Sequence, residues 1–183
     1  MDRLIIGLGN PGKEYEWTRH NIGVQAVKAY AESAGLKFHA ERGCLAYLAR
    51  GEDENGKIFL AYPMIYMNEC GRAGERLVRF VNVDVRDVLV AFDDIETAWG
   101  DARLVTTGGT RGHNGIRSLQ SNLKTKEFCQ LRIGVGHPGG KDVAGYVLDR
   151  FNVSEMGEMP SLLEETTEKM REWLVSHARS VES

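Results

Sequence analysis

One histidine, one carboxylate and three asparagines are distributed along the chain in a pattern that could activate a water molecule. His20 stands in the polar stretch Thr18-Arg19-His20-Asn21, and Asp93 follows the apolar run Asp87 to Ala91. An imidazole with a carboxylate behind one ring nitrogen has its tautomer fixed and its basicity raised, which suits it to take a proton from water. Asn10, Asn68 and Asn114 are neutral amides, able to donate to a developing oxyanion or accept from a substrate N–H without adding charge. No serine occupies a Gly-x-Ser-x-Gly elbow and no cysteine adjoins a histidine. The set therefore points to water as the nucleophile. Each residue also has a plainer reading. A lone histidine is more often structural, and asparagine is a common turn residue, as in Asn10-Pro11-Gly12.

These residues need a scaffold that brings distant stretches together. Arg3 to Gly7 reads as a buried strand, and Asn21 to Ala34 as a helix with Gly35 as its stop. Cys44–Arg50 and Lys57–Tyr62 read as paired strands around the Glu54-Asn55-Gly56 tip. After Tyr66-Met67-Asn68 a helix runs to about Val81 and precedes the strand Asp87–Ala91, and Ala102–Val105 reads as a further strand. A helix from Asn114 to about Leu123 and a strand Leu131–Gly136 follow. Val143–Leu148 fits a short helix or an extended segment. The tail from about 160 to 178 reads as an amphipathic helix with Pro160 in its first turn. The expected fold class is α/β: a single-domain layered fold over residues 1–183, with a mixed, mostly parallel twisted sheet flanked by helices. In open sheets of this class, ligands bind at the carboxyl ends of the strands. Asn10, Asn68, Asp93 and Asn114 all fall just after an apolar strand or just before a helix.

Two glycine-rich stretches compete for attention. Gly7-x-Gly9-x-x-Gly12 fits a dinucleotide-binding fingerprint, but the residues after Gly12 carry no apolar stripe and Glu32 falls inside a helix, not after a strand. Gly108-Gly109-Thr110-Arg111-Gly112-His113-Asn114-Gly115 could grip a phosphate at a helix start, yet it lacks the Lys-Ser/Thr of a nucleoside triphosphate loop. Met64, Tyr66 and Met67 could line an apolar groove, although core packing is the commoner use of such residues.

Composition narrows the class. The chain has 183 residues, 42% hydrophobic and 27% charged, with a net charge of −3, the profile of an ordinary soluble protein. Charge is uneven along it. Gly100 to Arg150 holds eight basic and four acidic residues, and Phe151 onward holds three basic and seven acidic. Cys44, Cys70 and Cys129 are odd in number and lie outside zinc spacing. No disulfide framework, signal peptide or membrane span is expected, and a cytoplasmic location is.

Taken together, the motifs resemble the bacterial-type peptidyl-tRNA hydrolase family. Gly7-Leu-Gly-Asn-Pro-Gly with Tyr15 and Thr18-Arg-His-Asn-x-Gly23 is similar to its N-terminal signature. Tyr66-Met67-Asn68 with Gly71, Asp93-Asp94, Gly108 to Gly115, and Leu131 to Gly139 resemble its later motifs. The resemblance implies a monomeric cytosolic enzyme that hydrolyses the ester between a peptide and the 3′ ribose of tRNA, with no metal or cofactor. His20 would be the base, Asp93 its orienting carboxylate, and Asn10, Asn68 and Asn114 the groups holding substrate and oxyanion. Tyr15, Met67 and His113 would shape the groove, with Arg103, Arg111, Lys124, Lys126 and Arg132 as candidate tRNA-phosphate contacts. The sequence departs from the family pattern at Ile65 and Cys70, in the turn Ile95 to Trp99, and in keeping only Arg103 of the basic residues expected on its strand. A non-catalytic RNA-binding protein on the same fold is the alternative, although such a protein has no use for a base and its orienter.

Overall fold

A computed structural model describes residues 1–140 and 142–179. Lys141 and the last four residues of the expected 1–183 domain lie outside the described residues. Seven strands form one sheet: β1 (Arg3–Gly7), β2 (His39–Glu41), β3 (Ala46–Asp53), β4 (Gly56–Pro63), β5 (Val88–Asp94), β6 (Ala102–Val105) and β7 (Cys129–Gly134). Their spatial order is β2-β3-β4-β1-β5-β7-β6. The four central strands, β4, β1, β5 and β7, run parallel, and antiparallel pairings attach β3 and β2 on one side and β6 on the other. The sheet is mixed, as expected, with the parallel pairings confined to its centre.

Among the described residues five α-helices cover it: α1 (Ile22–Ser33), α2 (Cys70–Val81), α3 (Asn114–Leu123), α4 (Val143–Leu148) and α5 (Val153–Arg179). All five residues of β1 are buried. Successive side chains point to opposite faces, so Ile5 joins the core under α1 and α5 while Leu4 and Ile6 join the core under α2 and α3. Each such aliphatic contributes about 1.5–3 kcal/mol on burial, and with both faces covered Leu4–Ile6 of β1 and Val88–Phe92 of β5 are continuous apolar runs.

The edges of β3, β4 and β7 move by one to three residues from the sequence reading, and three further differences have a clear physical reason. β5 continues through Asp93 and Asp94 because parallel pairing with β7 extends that far, with Asp93 opposite Ile133 and Asp94 opposite Gly134. β2 is a three-residue strand formed by pairing with β3, too short to show a period. α5 starts at Val153, seven residues before Pro160, so the proline lies inside the helix and not in its first turn. The start is set by a reciprocal cap: the Glu155 N–H donates to Asn152 Oδ1 and the Asn152 N–H to Glu155 Oε1, both at 2.8 Å. Asn152-x-x-Glu155 is the sequence sign of such a cap. Val143–Leu148 resolves as a helix, its Gly145 N–H bound to Asp142 Oδ1 at 2.9 Å.

Candidate active site

The carboxyl ends of β1 and β5 and the amino ends of α1 and α3 meet around one crevice. Two glycines let them meet so closely. A Cβ on Gly7 would overlap the Gly23 carbonyl, and a Cβ on Gly23 would overlap the Ala91 carbonyl. The start of α1 therefore rests on the backbones of β1 and β5. The residues just before it, the short 3-10 turn Arg19–Asn21, are held beside the end of β5. Gly12 opens into another 3-10 turn, Lys13–Tyr15, and not into the long helix a dinucleotide fingerprint requires.

Asp93 is the centre of the site. Its carboxylate is 1% exposed and holds two imidazoles: Oδ2 lies 2.8 Å from His20 Nδ1 and Oδ1 lies 2.7 Å from His113 Nε2. The rings of the two histidines sit 4.8 Å apart, tilted by 48°. Backbone geometry decides the tautomer of His113. The Gly115 and Ile116 N–H groups, at the start of α3, both donate to its Nδ1, at 3.1 and 3.4 Å. That nitrogen is an acceptor, so Nε2 carries the proton donated to Asp93. His20 donates from Nδ1 to the other carboxylate oxygen, which leaves its Nε2 as the free acceptor.

Charge follows from this arrangement. Burial works against a charged His20, but the Asp93 charge and hydrogen bond outweigh it and hold the histidine pKa above its ordinary value. Burial alone would raise the Asp93 pKa, yet the two histidines hold it well below the carboxylate range. His20, Asp93 and His113 offer nitrogen and oxygen atoms within 4.8 Å of one another. A metal there would have to displace the proton that the α3 amides keep on His113 Nε2, so these residues fit a hydrogen-bonded chain better than a ligand set.

The asparagines gather on the same crevice. It encloses about 700 Å³ and is lined by Asn10, His20, Met67, Asn68, Asp93, His113 and Asn114, among others. The Met67 N–H donates to Asn10 Oδ1 at 2.8 Å, so the oxygen of that amide is committed and its NH2 is the end left for a ligand. Asn10 is also tied to the His20 turn, since its N–H donates to Asn21 Oδ1 at 2.8 Å and Asn21 Nδ2 returns a bond to the Asn10 carbonyl at 2.9 Å. Asn114 Oδ1 accepts from Arg117 at 3.2 Å, which likewise leaves its NH2.

Other expected residues divide by position. Tyr15 packs edge-on against Tyr66, 6.3 Å between centroids, and it is Tyr66 that lines the crevice. Arg111 lies at the rim, its Nη2 2.9 Å from Asp94. The Asp94 carboxylate is also held by Thr97 Oγ1 at 2.7 Å. Arg103 and Arg132 are direct cross-strand partners on β6 and β7. Burial, and then the charge of Arg111, lower the Arg132 pKa; positive groups crowd this edge. Lys124 follows the last residue of α3, and Lys126 precedes β7. Both therefore sit at the far end of the sheet, about a helix length of 15 Å from the crevice.

Sequence reasoning missed the fourth wall. Val143, Ala144, Val147 and Leu148 of α4 line the crevice with Ile95. Val143 and Leu148 are 41% and 44% exposed. Their signal was a short apolar cluster with no obvious core to join.

The peptidyl-tRNA hydrolase family model matches residues 4–183. Peptidyl-tRNA hydrolase of Mycobacterium bovis (strain BCG / Pasteur 1173P2) is 40% identical over 166 residues, covering 90% of this chain and 87% of its own. The enzyme of Rhodococcus erythropolis is 39% identical with the same coverage. Among solved structures, a peptidyl-tRNA hydrolase complexed with N-propanol superposes with a TM-score of 0.89 at 34% identity, over 97% of this chain and 91% of that one. The Acinetobacter baumannii peptidyl-tRNA hydrolase gives 0.87 at 34% identity, over 96% and 91%. The chain belongs to the peptidyl-tRNA hydrolase family.

Proposed function

We propose that this crevice hydrolyses the ester between the carboxyl end of a peptide and the 3′ ribose of tRNA. The observation that carries the reading is the His20–Asp93 bond of 2.8 Å, which leaves a basic imidazole nitrogen beside three asparagines. His20 Nε2 takes a proton from water as the oxygen attacks the ester carbonyl. Negative charge then collects on the carbonyl oxygen, and the NH2 groups of Asn10 and Asn114 donate to it, a role supported by the engagement of their oxygens elsewhere. Asn68 holds the substrate amide. Proton return from His20 to the leaving ribose oxygen completes the cycle.

Tyr66, Met67 and the α4 wall take the apolar part of the peptide, with Tyr15 and His113 buttressing them. Arg111, Arg103 and Arg132 take tRNA phosphates; Lys124 and Lys126 serve only a tRNA long enough to cross to the far end of the sheet. No described helix is long and apolar enough to cross a membrane, and Cys44, Cys70 and Cys129 are all free, which suits a single-domain monomer of the cytoplasm. The test is release of N-blocked amino acid from tRNA in EDTA. Turnover that disappears in His20→Ala supports the reading, and equal turnover in that variant refutes it.

A further inference from the structure

We propose that Arg19 is a positioning residue that couples the catalytic base to the apolar wall of the crevice, and so tunes which aminoacyl esters are accepted. The inference rests on the hydrolase reading and deepens it. Arg19 directly precedes His20 and is 7% exposed. Its Nη2 meets Glu155 Oε1 at 2.8 Å and its Nη1 donates to the Tyr146 carbonyl at 3.2 Å. The guanidinium also lies over the Tyr146 ring, 4.2 Å from the centroid. The backbone fastens the same two segments. The Arg19 N–H donates to the Asp149 carbonyl at 3.1 Å, and that of Phe151 to the Trp17 carbonyl at 3.1 Å. Thr18 and Arg150 pair as an antiparallel bridge.

Both partners of the guanidinium are fixed in turn. Glu155 is locked into the cap of α5, and the Tyr146 hydroxyl donates to the Val135 carbonyl at 2.6 Å. A buried guanidinium is costly unless its partners stay in place, so α4 and the His20 turn are held in one geometry. α4 is the helix whose Val143, Ala144, Val147 and Leu148 line the crevice. The Arg19 side chain therefore touches both the segment that carries the base and the helix against which an apolar substrate side chain ends. A bulky apolar residue at the ester fills the space between base and wall and reads their separation. A glycine there does not.

Lysine at position 19 keeps a charge for Glu155 but loses the planar face and the second nitrogen. In Arg19→Lys we expect the KM for N-blocked leucyl-tRNA to rise roughly tenfold and that for N-blocked glycyl-tRNA to change less than about twofold, a misplacement effect confined to the substrate that touches the wall. Glu155→Gln, which keeps an oxygen for Arg19 and for the cap, should move the same ratio in the same direction by less. NMR signals of the His20 imidazole and the Val147 methyls should shift together in both variants. Equal losses for the two esters, or a lower melting temperature with the KM ratio unchanged, would reduce Arg19 to a folding residue and overturn the proposal, as would a His20 signal that stays still while Val147 moves. If Arg19→Lys does not fold, Glu155→Gln carries the test. If the unaltered protein cleaves neither ester, the hydrolase reading fails, and the paired NMR shifts still decide whether Arg19 couples base and wall.

Discussion

Strand β5 has a histidine–carboxylate pair at each end. At its amino end, Asp87 lies in the turn just before the strand and meets His177 of α5, Nε2 to Oδ1, at 2.6 Å. At its carboxyl end, Asp93 meets His20 at 2.8 Å. Distance does not separate the two pairs, but surroundings do. The His177 ring is stacked on Trp173, 5.0 Å between centroids at 21°, and both His177 and Asp87 keep some contact with water, at 17% and 16% exposure. Asp93 is 1% exposed, has each oxygen on an imidazole, and faces a crevice lined by amides. A hydrogen bond to a carboxylate does not by itself make a histidine a base. The second ring nitrogen must look onto a place where a substrate can sit.

The sharpest way to break this comparison is to delete each histidine. His20→Ala should lower single-turnover cleavage of N-blocked aminoacyl-tRNA by about a thousandfold, within the range for a lost general base, while His177→Ala should leave it within about twofold. Comparable losses at both ends would sink the distinction. Next in size is Asp93→Asn, expected to cost about a hundredfold in rate. Because Asp93 holds the His20 pKa up, its loss should also move the acid limb of the pH–rate profile to lower pH; a stationary limb would deny it the orienting role.

The same carboxylate leaves a mark on stability. Its pKa is depressed on folding, so its contribution is present above the ordinary aspartate range and is lost as the pH falls through its folded value. His20, with a raised pKa, contributes below its unfolded value and loses that contribution as the pH rises through the folded one. Urea unfolding below about pH 4, where the histidines are charged in folded and unfolded chains alike, should accordingly show a shallower acid loss in Asp93→Asn than in the parent. Smaller still, Arg132→Ala should raise KM a few-fold and reduce the slope of log KM against log salt by about 1, one phosphate contact's worth; an unchanged slope would remove Arg132 from the tRNA surface. The smallest effect belongs to the amino end. Asp87→Asn should cost about 1 kcal/mol of stability, the net worth of one hydrogen bond, with turnover untouched in the same assay.

Much of this was legible in the sequence, and the gaps have physical causes. Apolar periodicity and glycine stops locate α1, α3 and β6 almost to the residue, because those boundaries are set by local chemistry. The polar end of β5 reads as loop in the sequence because its membership comes from β7, a neighbour distant in sequence. The early start of α5 was written in Asn152 and Glu155, and the more conspicuous proline hid it. In the site, residue type and position made His20 and Asp93 candidates, and the family resemblance supplied their roles. That Asp93 serves a second histidine, and that α3 amides fix the tautomer of His113, depends on backbone N–H directions that no side-chain pattern encodes.

The contacts at Gly7 and Gly23 have a further consequence, for how this gene can vary. Where the start of α1 rests on β1 and β5, missing atoms do the positioning, and a methyl group at either glycine has nowhere to go but into a carbonyl. Gly43 and Gly109, by contrast, have open space where a side chain would stand. A library of all single substitutions, sorted only for folded protein, should accept many residues at Gly43 and Gly109 and almost none at Gly7 and Gly23. Intolerance to added bulk would then outline the floor of the crevice without any measurement of chemistry.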